Sequence, residues 1–580
     1  MILVPSDQPP AFGTPDMRAQ FGLDPTMLAL NGGGWGSTPL AVTNARAAIL
    51  ARIEACPDKF YKITCHGELD AALEPIARLL GLDGIDNLVF TANTTTAVNS
   101  VLRSLKIYLR TIGVSPDERC KILYFSTGFV PVINAIKHTA KHDGFGTVVV
   151  DCDYPISEAD LLQKTDDILS SNHAAGNRVV LAIYDGITSM PGVITPYKLL
   201  TRLFQRHGVI TCVDGAHMVG QVHVSLSEPE FQPDFFVTLL HKWLHVPRGC
   251  AVFFVHQRFQ ATIGHPVVAD VRPGDWRHGF HGAGTTDMSR YLSVPSALAF
   301  RAWIGGEAAI MAYNHELAVK GGRVVAKILE SRVMQGPGTL EEETHGDALY
   351  GAMVNVEVPM GAKAVVEASE GADAFLAGLG NVLLEKCNAA CNVFKHGETW
   401  WIRLCAREYL NEQDFRRMGE LLYDALNKGI WNDKRYLKVS VEPQIDPLTL
   451  GRGRARVASG NANFSASSDA SISRLSNPFS SAEAAVPRRI RSAKQCRKIG
   501  SGLLIPRRTI KNQDLSTKFS DTHFAALQTI FNLAILQSNN RVSCHEWSLT
   551  ALDQIIPGNR TISGGNYGLE IETYFVPTKT

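Results

Sequence analysis

The chain has 580 residues, 45% of them hydrophobic and 19% charged, with a formal net charge of +1. That length exceeds a single hydrophobic core, so two or three domains are expected. The composition is that of a soluble globular protein, and no apolar run approaches the roughly 20 residues needed to span a bilayer.

The opening "MILVPSDQPPAFG" lacks the basic start and long apolar stretch of a secretory signal, so a cytoplasmic protein is expected. Residues 1–30 read as an N-terminal arm. Beyond it, "KILYFS" (Lys121 to Ser126), "TVVVDC" (Thr147 to Cys152), "RVVLAIYD" (Arg178 to Asp185), "GVITCVDG" (Gly208 to Gly215), "FFVTLL" (Phe235 to Leu240) and "CAVFFV" (Cys250 to Val255) are short β-branched apolar runs. Amphipathic stretches such as "SEADLLQKTDDILSS" separate most of them. Continuous apolar runs alternating with helices predict parallel strands covered on both faces, so residues 31–292 read as a large α/β domain. In such sheets ligands sit at the carboxyl ends of the strands.

From about Ser293 longer helical stretches take over, followed by apolar segments around "GAMVNVEV" and "TWWIRLCA". This predicts a smaller α+β domain over residues 293–435. Residues 436–580 read as a basic, Ser-rich tail, largely disordered: residues 459–481 hold nine serines, and from Gly451 onward 17 Lys and Arg face 8 Asp and Glu. Within the tail, "SDTHFAALQTIFNLAILQ" predicts one amphipathic helix. The basic charge could meet an acidic partner, but there is no nucleic-acid module and no such binding is expected. The close cysteine pair Cys387 and Cys391 has helical spacing but no second pair or histidine nearby to complete a zinc site, so no metal is expected.

The strand "GVITCVDG" ends in Asp214, and Lys242 follows one strand later. That places a carboxylate and an amine at the same sheet edge. Pyridoxal phosphate chemistry needs this pair: a lysine to form the Schiff base, and an aspartate to keep the pyridine nitrogen protonated so that the ring accepts electrons. Either residue alone would read as a solvated charge or a turn former.

The segments "SMPGV" (Ser189 to Val193), "CVDGAHMVG" and "HKWLHVPRGC", in this order, resemble the fold type I, class V aminotransferase family. The likeness is to its isopenicillin N epimerase-like and cysteine desulfurase-like branch, nearest to the fungal hercynylcysteine sulfoxide lyases. It runs from about Leu30 to Lys428 and includes "ANTTTAVNSVLRSL", "GGEAAIMAY" and "WIRLCAREYL". The resemblance implies that Lys242 carries the cofactor and Asp214 pairs with the pyridine nitrogen. It sets His217 near the ring oxygen, Thr94, Thr95 and Thr96 at the phosphate, Phe129 stacked on the ring and His241 within reach of the phosphate. A helix beginning at the threonines suits an anion, because its free N–H groups and dipole point there. Thr285, in "GAGTTD", is similar to the residue that completes the partner subunit's phosphate site, which implies a homodimer. Arg403 resembles the arginine that grips the substrate carboxylate, where a planar fork can make two parallel hydrogen bonds.

Two segments depart from the family. Relatives open the catalytic body with a motif like "NHGSFG", whereas this chain has "NGGGWG", Asn31 to Gly36, with Asn31 and Trp35 expected at the substrate. Three residues before the lysine, a small polar phosphate ligand gives way to Leu239, for which Thr238 or His241 could compensate. The resemblance implies an enzyme that acts on an α-amino acid through an external aldimine and a quinonoid. C–S lysis in fungal secondary metabolism is the first reading, with epimerisation or carbon–carbon bond formation in alkaloid-type biosynthesis as alternatives. A non-catalytic scaffold of the same fold is a further alternative, against which the retention of Lys242, Asp214 and Arg403 argues.

Overall fold

The computed structural model describes residues 8–265, 267–268, 271–281, 286–336, 349–368 and 371–428, and two short strands beyond them. The chain divides into two units, Met1–Arg452 and Gly453–Thr580. In the first, β1 (Leu28–Ala29) precedes the strands of a seven-stranded sheet: β2 (Leu88–Thr91), β3 (Cys120–Phe125), β4 (Gly146–Val150), β5 (Arg178–Asp185), β6 (Ile210–Asp214), β7 (Phe235–Leu239) and β8 (Ala251–Val255). Their order is β2-β8-β7-β6-β5-β3-β4.

All six apolar runs form strands of this sheet, but not all are parallel. β8, the "CAVFFV" run, lies antiparallel to both neighbours, β2 and β7, while the remaining pairs are parallel. Composition could not reveal this reversal, because a buried strand is apolar on both faces whichever way it runs. As a consequence β2, β5, β6 and β7 all end at one edge, and β8 begins there.

The helix Thr94–Thr111 shows why the sequence folds this way locally. Asn93 caps it by accepting a hydrogen bond from the Thr96 N–H at 2.9 Å. Its buried face, including Val98, Val101, Leu102, Leu105 and Leu109, packs on Val89, Val237 and Phe253 of the sheet. Each such side chain removed from water contributes about 1.5–3 kcal/mol before the entropy of ordering is counted. The opposite sheet face packs a larger cluster that includes Phe90, Phe204, Phe236 and Trp243.

Beyond the sheet, Val294–Trp303 and Gly306–Ile328 form two helices rather than one, because Gly305 and Gly306 take positive φ between them. β9 (Met353–Glu357), β10 (Ala389–Ala390), β11 (Asn392–His396) and β12 (Thr399–Cys405) follow. β9 and β12 are the two expected apolar segments; β11, which the sequence reading did not include, joins them in an antiparallel sheet of order β11-β12-β9, and β10 pairs in parallel with β1. Cys387 and Cys391 do not share a helix as their spacing suggested. Helix Ala372–Cys387 ends at Asn388 in the left-handed conformation, and Cys391 lies beyond β10.

In the second unit an antiparallel pair, β13 (Arg497–Ile499) with β14 (Leu503–Ile505), is described. The rest of the expected disordered tail, including its amphipathic helix, lies outside the described residues, as does Thr285.

Candidate active site

Five strand ends of the large sheet build the site. Asp214 closes β6, and Asp185 closes β5 directly beside it in register. β7 ends at Leu239 and passes into a single helical turn, Leu240–Trp243, which carries Lys242. Lys242 Nζ lies 2.7 Å from His217 Nε2 and 6.0 Å from the centroid of the Phe129 ring. Phe129 caps the helix Val130–Asp143 after β3, and the helix Thr94–Thr111 starts just after β2. The fold thus brings His217 and Phe129 close to Lys242, with Asp214 on the neighbouring strand.

Burial sets the charges. It lowers the Lys242 amine to about 8, although Asp214 works to raise it. It pushes the Asp214 carboxyl up to about 6 against the Ala216 N–H, which Asp214 accepts at 3.0 Å, and against Lys242. Asp185 is raised well above the carboxylate range by burial and by Asp214. His217 is pushed well below the imidazole range by burial, then by Lys242 and Arg403, and so is neutral.

Arg403, on β12, is 1% exposed. Its Nη1 donates to the Ser189 carbonyl at 2.6 Å and its Nη2 to Asn31 Oδ1 at 2.9 Å, while Nε has no hydrogen-bond partner among the described residues. No ion pair within the described residues engages it. Asn31, expected at the substrate, spends its carbonyl oxygen on Arg403 and donates to Asn392 Oδ1 at 3.2 Å, so it orients the arginine. Trp35 is 72% exposed, and Arg248 donates to its carbonyl.

The phosphate side departs from expectation at one position. Thr238 shares its sheet face with Phe90 and Val252, opposite the face where Leu239 and the helix Thr94–Thr111 lie, because strand side chains alternate. It therefore does not replace Leu239 as a donor. His241 turns Nδ1 toward the Cys250 carbonyl at 3.3 Å and is lowered to about 4, mainly by burial. Thr95 and Thr96 are half-buried; Thr94 is buried with its Oγ1 unpartnered.

Sequence reasoning missed a buried network beneath Lys242. Arg407 Nη1 donates to the Lys242 carbonyl at 2.7 Å and Nη2 meets His245 Nδ1 at 2.9 Å. Glu408 lies 3.1 Å from His245 Nε2 and 3.5 Å from Arg407 Nε, and all three side chains are fully buried. Arg301 Nη1 donates to the Trp243 carbonyl at 2.7 Å and forks onto Glu307. The "NGGGWG" glycines make room for this network. A Cβ on Gly32 would meet Arg407 at 2.9 Å, one on Gly33 the Trp243 ring at 2.7 Å, and one on Gly36 the His241 carbonyl oxygen at 1.7 Å.

The residues fit pyridoxal phosphate. The unpartnered Thr94 hydroxyl and the N–H groups of a helix's first turn suit a phosphate, the desolvated Lys242 suits an aldehyde, and Asp214 suits a protonated pyridine. Residues 61–343 match the family model for class V aminotransferases. An L-cysteine desulfhydrase-like protein of Epichloe uncinata, lolT1, is 30% identical, over 71% of this chain and 95% of its own. The hercynylcysteine sulfoxide lyase of Schizosaccharomyces pombe is 25% identical, over 70% and 97%. Among solved structures, the cystine C–S lyase C-DES in complex with cysteine persulfide has a TM-score of 0.54 at 17% identity. It covers 69% of this chain and 98% of that one, a likeness of fold.

Proposed function

Since the chain belongs to the class V aminotransferase family and takes pyridoxal phosphate as its cofactor, we propose that it is a C–S lyase acting on an α-amino acid with a sulfur substituent on Cβ. The observation that carries this reading is the buried Arg403, with no acid partner among the described residues, facing the same site as the desolvated amine of Lys242. A buried cation without a counter-ion is costly, and a substrate carboxylate supplies one.

Lys242, Asp214, Thr94, Thr95, Thr96 and Phe129 would hold the cofactor, which when bound supplies a ring that accepts the electron pair left on the substrate Cα. Arg403, fixed by Ser189 and Asn31, binds the carboxylate and so decides which Cα bond is presented. Nζ of Lys242 takes the proton from Cα. The Cβ–S bond then breaks with its electron pair on sulfur, and hydrolysis of the unsaturated remainder gives a 2-oxo acid and ammonia. His217, neutral and 2.7 Å from Nζ, holds the amine in place.

The reading includes a homodimer completed through the Thr285 segment. It is supported by exposed apolar side chains on either flank: Val267, Val268 and Val271 before it, and Tyr61, which donates to the Thr286 carbonyl, and Ile63 beside it. Light scattering on the eluting protein tests this, and a monomeric mass would exclude it.

Incubation with S-substituted cysteines in deuterated water tests the reaction. Release of a 2-oxo acid and a sulfur product, absent in Lys242→Ala, is expected. Deuterium at Cα without elimination would instead favour the epimerase reading, which the 26% identical isopenicillin N epimerase of Amycolatopsis lactamdurans keeps open.

A further inference from the structure

His217 has two ring nitrogens, and each has one close neighbour. Nδ1 is met by the Trp243 indole Nε1 at 3.3 Å, and Nε2 by Lys242 Nζ at 2.7 Å. An indole N–H can only donate, so Nδ1 must accept and cannot carry a proton. In a neutral imidazole the proton then sits on Nε2 and is donated to Lys242. An ammonium group has no lone pair to receive it, so the contact selects the neutral amine.

We propose that Trp243 is a positioning residue: its indole N–H fixes the tautomer of His217, and His217 in turn presents an Nε2–H donor that holds Lys242 as a free amine. The depressed affinities for protons of His217 and Lys242 agree with this direction.

The surroundings hold the indole in that place. Trp243 is 1% exposed and lies against Gly33 and Gly220, where a Cβ would come within 2.7 and 2.8 Å of it. The Arg407 guanidinium sits 5.1 Å from its ring centroid, and Arg301 holds its carbonyl. A cation over the face of an indole withdraws electron density from the ring and favours N–H donation at its edge. The other groups facing Lys242 are Asp214 on β6, Asp185 on β5, and Arg403 and Cys405 on β12; His217 also faces Arg403 and His241. None of these reaches His217 Nδ1, so the indole alone sets the tautomer among the described residues.

The assignment rests on Lys242 being the reacting amine, but its first readout does not. Ring 15N spectra of cofactor-free protein, with the His217 signals identified by their loss in His217→Gln, report the tautomer whether or not the chain turns over. A single Nε2–H form is expected in the wild type. Trp243→Phe, and a shape-matched residue carrying benzothiophene in place of indole at 243, should both give mixed tautomers. The pH midpoint of Schiff-base formation with added pyridoxal phosphate should then rise by about 0.5–1 unit, roughly three- to tenfold less free amine at neutral pH, as expected for one lost hydrogen bond. The benzothiophene variant keeps the packing, so the test survives if the phenylalanine variant does not fold. An Nδ1–H wild type, or an unchanged tautomer and midpoint in the benzothiophene variant, would overturn the assignment. Protein that takes up no pyridoxal phosphate but shows the Nε2–H form would instead count against the lyase reading.

Discussion

Replacing Glu408 by leucine tests whether the network beneath Lys242 is an ion-pair cluster that stands or falls together. Glu408 and Arg407 are both fully buried, and the carboxylate is the acid that neutralises Arg407. Burial would raise the Glu408 carboxyl, yet Arg407 and His245 outweigh it and hold it below the ordinary carboxylate range. Removing one member strands the other, which costs about 3–5 kcal/mol. The Trp243 and Tyr409 rings, 5.1 and 5.8 Å from the guanidinium, offset part of that cost, so the low end is expected, about 3 kcal/mol. Arg407→Met should cost at least as much, because it strands Glu408 and removes the donor to the Lys242 carbonyl. The double variant leaves no buried charge of the pair, and similar replacements elsewhere are neutral or stabilising, so it should lie within about 2 kcal/mol of the wild type. Urea unfolding of the four proteins between pH 6 and 8 measures the cycle. A carboxyl held below its usual 4.5 contributes stability that is present above that value and lost as pH falls, so the cycle should not vary across this window. A Glu408→Leu cost under about 1 kcal/mol, or a double variant as unstable as the two singles summed, would refute the reasoning.

Other outcomes follow from the same geometry. Arg403→Ala should raise KM roughly ten- to hundredfold, the worth of a charge-assisted pair of hydrogen bonds, with a smaller effect on kcat; steady-state kinetics would show otherwise if KM stayed fixed. Because burial lowers Lys242 to about 8, Schiff-base formation by cofactor-free protein should rise with pH and level off above 8. A midpoint near the ordinary 10.5 would mean that the amine is not desolvated. Gly36→Ala combines a φ of +69° with a Cβ 1.7 Å from the His241 carbonyl oxygen, so it should displace the Lys242 turn and abolish cofactor uptake. Gly84→Ala, in open space, should be silent in the same absorbance titration.

The placing of Asp214 and Lys242 at one edge of the sheet was legible in the chain because a strand end is a local signal. An apolar run stops, and the next polar residue stands at the edge. The six runs and the capped helix at Thr94 were legible for the same reason, since burial and capping are written into neighbouring residues. Nothing local marks the reversal of β8, because apolar residues on both faces carry no direction. Nor does anything local mark Thr238 as facing away from the phosphate side, since that depends on register. Arg407 and Glu408 are two adjacent charges in the sequence, a pattern usual for a surface. They proved to be buried because His245 and the Lys242 carbonyl, more than 160 residues away in the chain, meet them there. The sequence by itself determined which residue types stand at the strand ends, and so the chemistry open to them. The tertiary structure decided which of their atoms face each other, and hydrogen bonding acts atom by atom: only the approach of the Trp243 N–H to His217 settles where a single proton sits.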